Sequence, residues 1–254
     1  MRKSWVLWLL ATFITLASAV YQRMTGPTYP ARGTVKVGGI EVKYRLIRTH
    51  GSGDAEVTVA APQPIAGTLS WKRNKTQDPW TYLEMQRVGD SLIAMLPEQP
   101  PAGKLAYRVI LQKDGERVTL GGSPHVIRFK GDVPIFVLHP HIVAMFVAML
   151  FSARAGLELF RHNRSTSLLW PTFILLTIGG MILGPIVQKY AFGAYWTGFP
   201  FGTDLTDNKT AIAWILWGLA AWRRSPWLIA LAAIGTFAVY LIPHSMFGSE
   251  LKYE

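Results

Sequence analysis

The stretch FVLHPHIVAMF, Phe136 to Phe146, opens an apolar run that continues to Phe151 and carries two histidines with a proline between them. Four segments from here onward are nearly free of charge: Leu138–Phe151, Leu168–Val187, Ala211–Trp222 and Trp227–Ile242. With their flanks they approach the roughly 20 residues that cross bilayer hydrocarbon. The totals agree, since 50% of the 254 residues are hydrophobic and only 16% are charged, an awkward balance for a soluble domain. Four membrane helices are predicted after residue 134.

A further apolar run, Trp5–Val20, comes after Arg2 and Lys3 and contains Ala17-Ser18-Ala19. It fits a cleavable signal peptide or a short uncleaved anchor, and either exports the segment beyond it. The chain has no cysteine, so disulfides and thiolate metal sites are excluded. Its net charge is +11, and the basic residues Arg2, Lys3, then Arg154, Arg161, Arg164, then Arg223 and Arg224 fall on alternate loops. The positive-inside rule then predicts a bacterial-type inner (plasma) membrane protein with its amino terminus cytoplasmic and its carboxyl terminus outside. Three parts result: a membrane anchor or signal peptide at 1–20, an exported domain at 21–133 and a transmembrane domain at 134–254.

From Thr34 to Lys130 short alternating runs are broken by turn residues. TVKVGGIEVKYRL reads as a hairpin turning at Gly38-Gly39, and RVILQKDGERVTL as another around Asp114-Gly115. GTLSWKR, WTYLEMQR and SLIAML are further strand candidates, giving about seven strands in roughly a hundred residues. The segment resembles an immunoglobulin or fibronectin type III β-sandwich, an architectural likeness that carries no activity. The fold class is therefore α+β: an extracytoplasmic sandwich plus a bundle of four to five transmembrane helices. Basic residues of the exported part are interleaved with Glu41, Asp54, Glu84 and Asp90, so no nucleic-acid stripe is organised. The partners implied are the lipid bilayer and a protein bound through the exported domain.

The predicted topology places His139, His141 and His244 at one depth, the outer mouth of the helices. The loop Lys189–Thr210 brings Asp204 and Asp207 there too. On a regular helix His141, Met145 and Met149 share a face, and Met246 follows His244. Imidazole with thioether suits copper or an axial ligand of haem iron, while imidazole with Asp204, Asp207 or Glu250 suits zinc or non-haem iron. The leading expectation is a redox (electron-transfer) or metal-handling membrane protein that holds a metal or haem b near its outer face. Either His139 or His141 would ligate with His244, and Asp204 or Asp207 would orient the rings. Each group also has an ordinary reading: Asp204 as a helix cap, Asp207 at a positive helix end, methionines as packing. The alternative function is a non-catalytic structural or assembly subunit, for which Gly180 and Gly184, in small-xxx-small spacing, supply close helix packing. No phosphate-binding glycine loop and no nucleophile elbow occurs, so the chain is not expected to be an independent enzyme.

Overall fold

A computed structural model describes residues 4–161, 166–243, 248, 250, 251 and 253. The chain is mixed α and β and divides into two compact units, Met1–Pro27 with Val133–Ser249, and Thr28–Asp132 with Glu250–Glu254. The first unit is helical and the second holds the strands.

After α1 (Ser4–Thr25), β1 (Ala31–Val37) and β2 (Ile40–Leu46) form a hairpin. Its turn residues Gly38 and Gly39 have φ of 53° and 78°, the positive values a tight two-residue turn requires. Then come β3 (Thr49–His50), β4 (Ala55–Ala60), β5 (Ala66–Arg73), β6 (Thr81–Glu84), β7 (Gln86–Val88) and β8 (Ser91–Leu96). The strands end with β9 (Lys104–Lys113), β10 (Glu116–Thr119) and β11 (His125–Phe129). One sheet runs β3-β11-β9-β5-β6 with β10 also on β9, and another runs β4-β8-β7.

WTYLEMQR reads in sequence as one strand, but the chain changes sheets inside it. β6 pairs with β5 and β7 with β8, and between them Met85 is buried with its N–H donating to Gly67 O at 2.9 Å. AEVTVA, not among the strands expected from sequence, is β4, alternating strictly between buried and exposed. One core draws on all the sheets: Val37 and Leu46 from the hairpin, Val57 and Leu96 from β4 and β8, Leu69, Val109 and Phe129 from the large sheet. Each such side chain contributes about 1.5–3 kcal/mol by leaving water. Trp71 packs against this core, while Trp80 lies under the Arg108 guanidinium at 4.0 Å and Tyr82 is exposed.

Sequence alone assigns all of 134–254 to the membrane domain, but Glu250, Leu251 and Tyr253 belong with the strands. Glu250 bonds Lys75 Nζ at 2.6 Å and Asn74 Nδ2 at 3.2 Å, with Lys104 Nζ at 3.5 Å. Tyr253 Oη accepts from Lys104 N at 2.8 Å and donates to Gln99 Oε1 at 3.0 Å, its ring beneath Arg73.

The helical unit continues with α2 (Ile135–Leu157), a 3-10 turn at Glu158–Phe160, and α3 (Leu169–Leu176). A π-helical segment, Thr177–Leu183, leads without a break into α4 (Gly184–Phe192), followed by α5 (Leu205–Arg223) and α6 (Pro226–Leu241). Three spans are long and apolar enough to cross a membrane: Ser4–Thr25, Ile135–Phe160 and Leu169–Phe192. α6 is apolar but has 16 residues, and α5 begins with Asp207, Asn208 and Lys209 in its first turns. The burial is inside-out for water. Ala148, Gly180, Ala213, Ala221 and Ala232 lie within, while Leu9, Phe13, Phe136, Val143 and Ile234 are exposed. Small residues between helices and large apolar ones outside are what lipid permits and water penalises.

Three features punctuate the helices. Pro140 sits beyond the first turn of α2, where it removes an intrahelical bond, because the helix already begins at Ile135. The third segment starts at Leu169, with Leu168 at its cap and no side chain bonded there. Pro185 neither ends nor interrupts it, since the helix runs on to Phe192 past the π segment.

A Cβ on Gly180 would meet Thr210 Cγ2 at 2.7 Å and one on Gly179 would meet Ala144 Cβ at 2.9 Å, whereas one on Gly184 meets only ordinary contacts at 3.4 and 3.7 Å. The tight approach is therefore the adjacent pair Gly179–Gly180. Gly180→Ala should cost about 1–3 kcal/mol, since β-branched Thr210 cannot swing aside. Gly184→Ala should instead be neutral or add up to about 1 kcal/mol through helix propensity. Thermal unfolding in detergent reads the difference in sign.

A second test concerns Glu250. Burial alone would raise its carboxyl, but Lys75, Lys104 and Asn74 outweigh that and hold it below the usual range. A depressed carboxyl stabilises above its unfolded pKa and loses that contribution as pH falls through the folded one. The stability gap between wild type and Glu250→Gln should be constant at neutral pH and shrink below about pH 4. A pH series of unfolding midpoints on the full chain measures it.

Candidate functional site

The end of the helical unit that gathers the start of α2, the end of α4, the start of α5 and the end of α6 buries Gln22, Gln188, Asp204, Asp207 and Lys209. Lys209, in the first turns of α5, is 5% exposed, and its Nζ donates to Ile242 O at 2.7 Å. Gln22 Nε2, from α1, donates to the same oxygen at 3.0 Å. That carbonyl follows the last turn of α6, where the helix dipole favours a cation. Among the described residues no carboxylate lies within 4 Å of Lys209 Nζ. A small, mainly apolar cavity of about 20 Å³ lies beside it, with Met145, Leu176, Ala213 and Val239 in its walls next to Gln22 and Lys209.

Asp204 and Asp207 organise the loop before α5. Asp204 caps the helix, its carboxylate accepting from Thr206 N at 2.8 Å and from Thr197 Oγ1 at 3.1 Å. Asp207 is 6% exposed and Oδ2 accepts from Thr197 N at 2.6 Å, Gly198 N at 2.9 Å and Gln188 Nε2 at 3.1 Å. Asn208 Oδ1 accepts from Phe199 N at 2.7 Å. Three successive backbone N–H groups are thus fixed by two successive side chains of α5. Gly198 has no room for a side chain, as a Cβ there would lie 2.6 Å from Asp207 Cβ and from Asn208 Oδ1. What the loop presents is aromatic: Phe199 and Phe201 are 80% and 82% exposed, with Tyr195 also outside.

The two histidines of the opening stretch separate. His139 is exposed, while His141 points inward with Nδ1 2.9 Å from Gly179 O. A carbonyl only accepts, so Nδ1 carries a proton, and in the neutral ring Nε2 keeps its lone pair. Gly179 lies in the π segment, and its carbonyl also accepts from Gly184 N, so His141 shares an oxygen already in the ladder. Met145, one turn on, packs its sulfur against Gly179 and Gly180, and Tyr240 Oη donates to Met145 O at 3.2 Å. Met149 lies deeper, away from this end, in the wall of another cavity.

Asp204 thus bonds to Thr197 and Thr206, Asp207 to Thr197, Gly198 and Gln188 of α4, while His141 bonds to the π segment. Glu250 is ion-paired among the strands. His244 and Met246 lie outside the described residues. Among the described residues no three His, Cys, Asp or Glu side chains gather to hold a metal ion. At the opposite end Arg154 and Glu158 form a buried pair at 2.5 Å, joined by Arg161 at 3.1 Å. Sequence reading missed Gln188, Asn208 and Gln22, whose spacing in the chain carries no signal of their meeting.

No family model, curated protein or solved structure matches the chain.

The aspartate clamp makes a prediction. Asp207→Ala leaves two backbone N–H groups and an amide without their acceptor and should cost about 3 kcal/mol. Asp204→Ala, which loses mainly a cap, should cost about 1 kcal/mol. Chemical unfolding in detergent, followed by near-ultraviolet circular dichroism, separates the two.

Proposed function

We propose that the chain is a multi-pass protein of a bacterial-type inner membrane acting as a structural or assembly subunit, docking another exported protein through its exported β unit and through the loop of the helical unit that bears Phe199 and Phe201. In this reading the sheets are a sandwich of the immunoglobulin or fibronectin type III kind and the helices make four to five crossings. The amino terminus lies inside, the β unit and carboxyl terminus outside. Arg154, Arg161, Arg223 and Arg224 support that orientation by falling at one end of the helices.

The observation that carries the function is how the polar groups are used. Asp204, Asp207, Asn208, Lys209 and His141 each commit polar atoms to backbone of their own chain. The bonds of Asp207 and Asn208 hold the loop that exposes Phe199 and Phe201. An aromatic pair already fixed in place loses little entropy on contact, the property of a docking element.

A second reading has its own support. A ring nitrogen donating to a backbone carbonyl with the other left as an acceptor is how metal-binding imidazoles are oriented. In this reading His141 with His244 holds copper, iron, zinc or haem b, Met145 adds a thioether, and the protein serves redox or metal handling.

One preparation decides between them. The protein purified in mild detergent is examined by visible spectroscopy and elemental analysis, and a photo-crosslinking residue at position 201 is activated in intact membranes. The assembly reading expects a colourless, metal-free, folded protein and one discrete cross-linked product. A Soret band, or stoichiometric copper, iron or zinc that His141→Ala removes without unfolding the protein, replaces it with the second reading.

A further inference from the structure

An apolar cavity of about 290 Å³ lies between α1, α2 and α6. It adjoins a close approach of α2 and α6, for a Cβ on Gly156 would sit 2.6 Å from Ala233 Cβ. Met149, Leu157, Phe160 and Phe237 are among its walls, and Ile14 of α1 closes one side. Along the chain from Met149 to Phe160 the lining covers about 16 Å at helical rise. That is close to the hydrocarbon depth of a single leaflet, half of about 30 Å.

The two ends of this cavity differ. At Met149 and Phe237 the surroundings are apolar. At Phe160 the next residue is Arg161, and α6 reaches the cavity at Ala230, not far beyond the Arg223–Arg224 pair that precedes the helix. The described residues of this end include four arginines (154, 161, 223 and 224) and one carboxylate, Glu158, which pairs with Arg154 and Arg161. Nε and Nη1 of Arg154, a residue 3% exposed, are buried without a hydrogen-bond partner. An empty space lined by carbon forfeits its dispersion contacts, and surplus arginine at a membrane surface attracts anionic headgroups.

We infer that this cavity takes one acyl chain of an anionic phospholipid, with the phosphate held at Arg161. A second protein helix does not fit the same features, because an apolar helix brings no anion to the charged end. A neutral lipid fills the space and leaves the arginines uncompensated. The inference rests on the reading that these helices lie in a membrane.

The test uses the full-length protein in mild detergent, titrated with phosphatidylglycerol or phosphatidylcholine and observed by native mass spectrometry. One phosphatidylglycerol per chain should be retained at least tenfold more tightly than phosphatidylcholine. Ala230→Phe, which fills the cavity, should abolish that retention while its unfolding midpoint in lipid-free detergent is unchanged or higher. Should that variant not fold, the smaller Ala153→Leu is read in its place. Arg161→Gln should bring phosphatidylglycerol down to the phosphatidylcholine level. Equal retention of both lipids by the wild type, or undiminished retention by the filled variant, overturns the inference. Release of the chain from membranes by alkaline carbonate breaks the membrane reading itself; a carbonate-resistant chain that retains no lipid breaks only this inference.

Discussion

Polar groups placed among apolar helices have no water to turn to, and this constraint organises the helical unit. The Ile242 carbonyl shows how it acts. It lies just past the end of α6 and receives Lys209 from α5 and Gln22 from α1, so one oxygen draws three helices together. Hydrophobic burial cannot do this in lipid, where a leucine is as content outside as inside. The same logic binds Trp217 Nε1 to Thr236 Oγ1 and Trp214 Nε1 to Thr177 Oγ1, each at 2.8 Å and each between different helical segments. Glycines and alanines then let the backbones close on these points.

The β unit answers to the opposite rule. Its strands bury Leu69, Leu105, Leu111, Ile127 and Phe129 in one apolar core, and along β4 the outward positions fall to Glu56, Thr58 and Ala60. Polar bonds also lie nearer its surface, as where the Arg73 guanidinium meets Asp78 through two nitrogens at 2.6 and 3.1 Å. That pairing holds the Asp78 carboxyl below its ordinary range. One chain thus obeys two solvents, and the change of rule falls at Pro27–Thr28 and Asp132–Val133.

How much of this is legible in the sequence depends on how local the cause is. Gly38-Gly39 and Asp114-Gly115 announce their hairpins because positive φ is a property of the turn residues themselves. Asp204 as a helix cap is equally readable, since its partner is two residues away. AEVTVA has the right alternation but follows a turn with two glycines and is only six residues long, so its periodicity is a weak signal. The division of WTYLEMQR between sheets, and the docking of Glu250 on Lys75, depend on partners far along the chain. The π segment is hidden for another reason: its apolar composition is the same as that of an α-helix, and only the packed backbone reveals the wider turn. His141 stands out by its chemistry alone, and the structure adds the direction of its proton.

The β unit is inserted between α1 and α2, yet α1 packs against α2 and α6. During synthesis α1 therefore emerges long before either partner, and the whole of the β unit must pass before α2 appears. Until then α1 has neither α2 nor α6 beside it. It is suited to this, because its large side chains Trp5, Leu9, Phe13 and Leu16 face outward even in the finished fold, and its hydroxyls at Thr15 and Ser18 bond to its own carbonyls at 2.8 and 2.6 Å. Gln22 instead waits for a distant acceptor, so the order in which the ribosome delivers the helices is written into which of them can stand without neighbours.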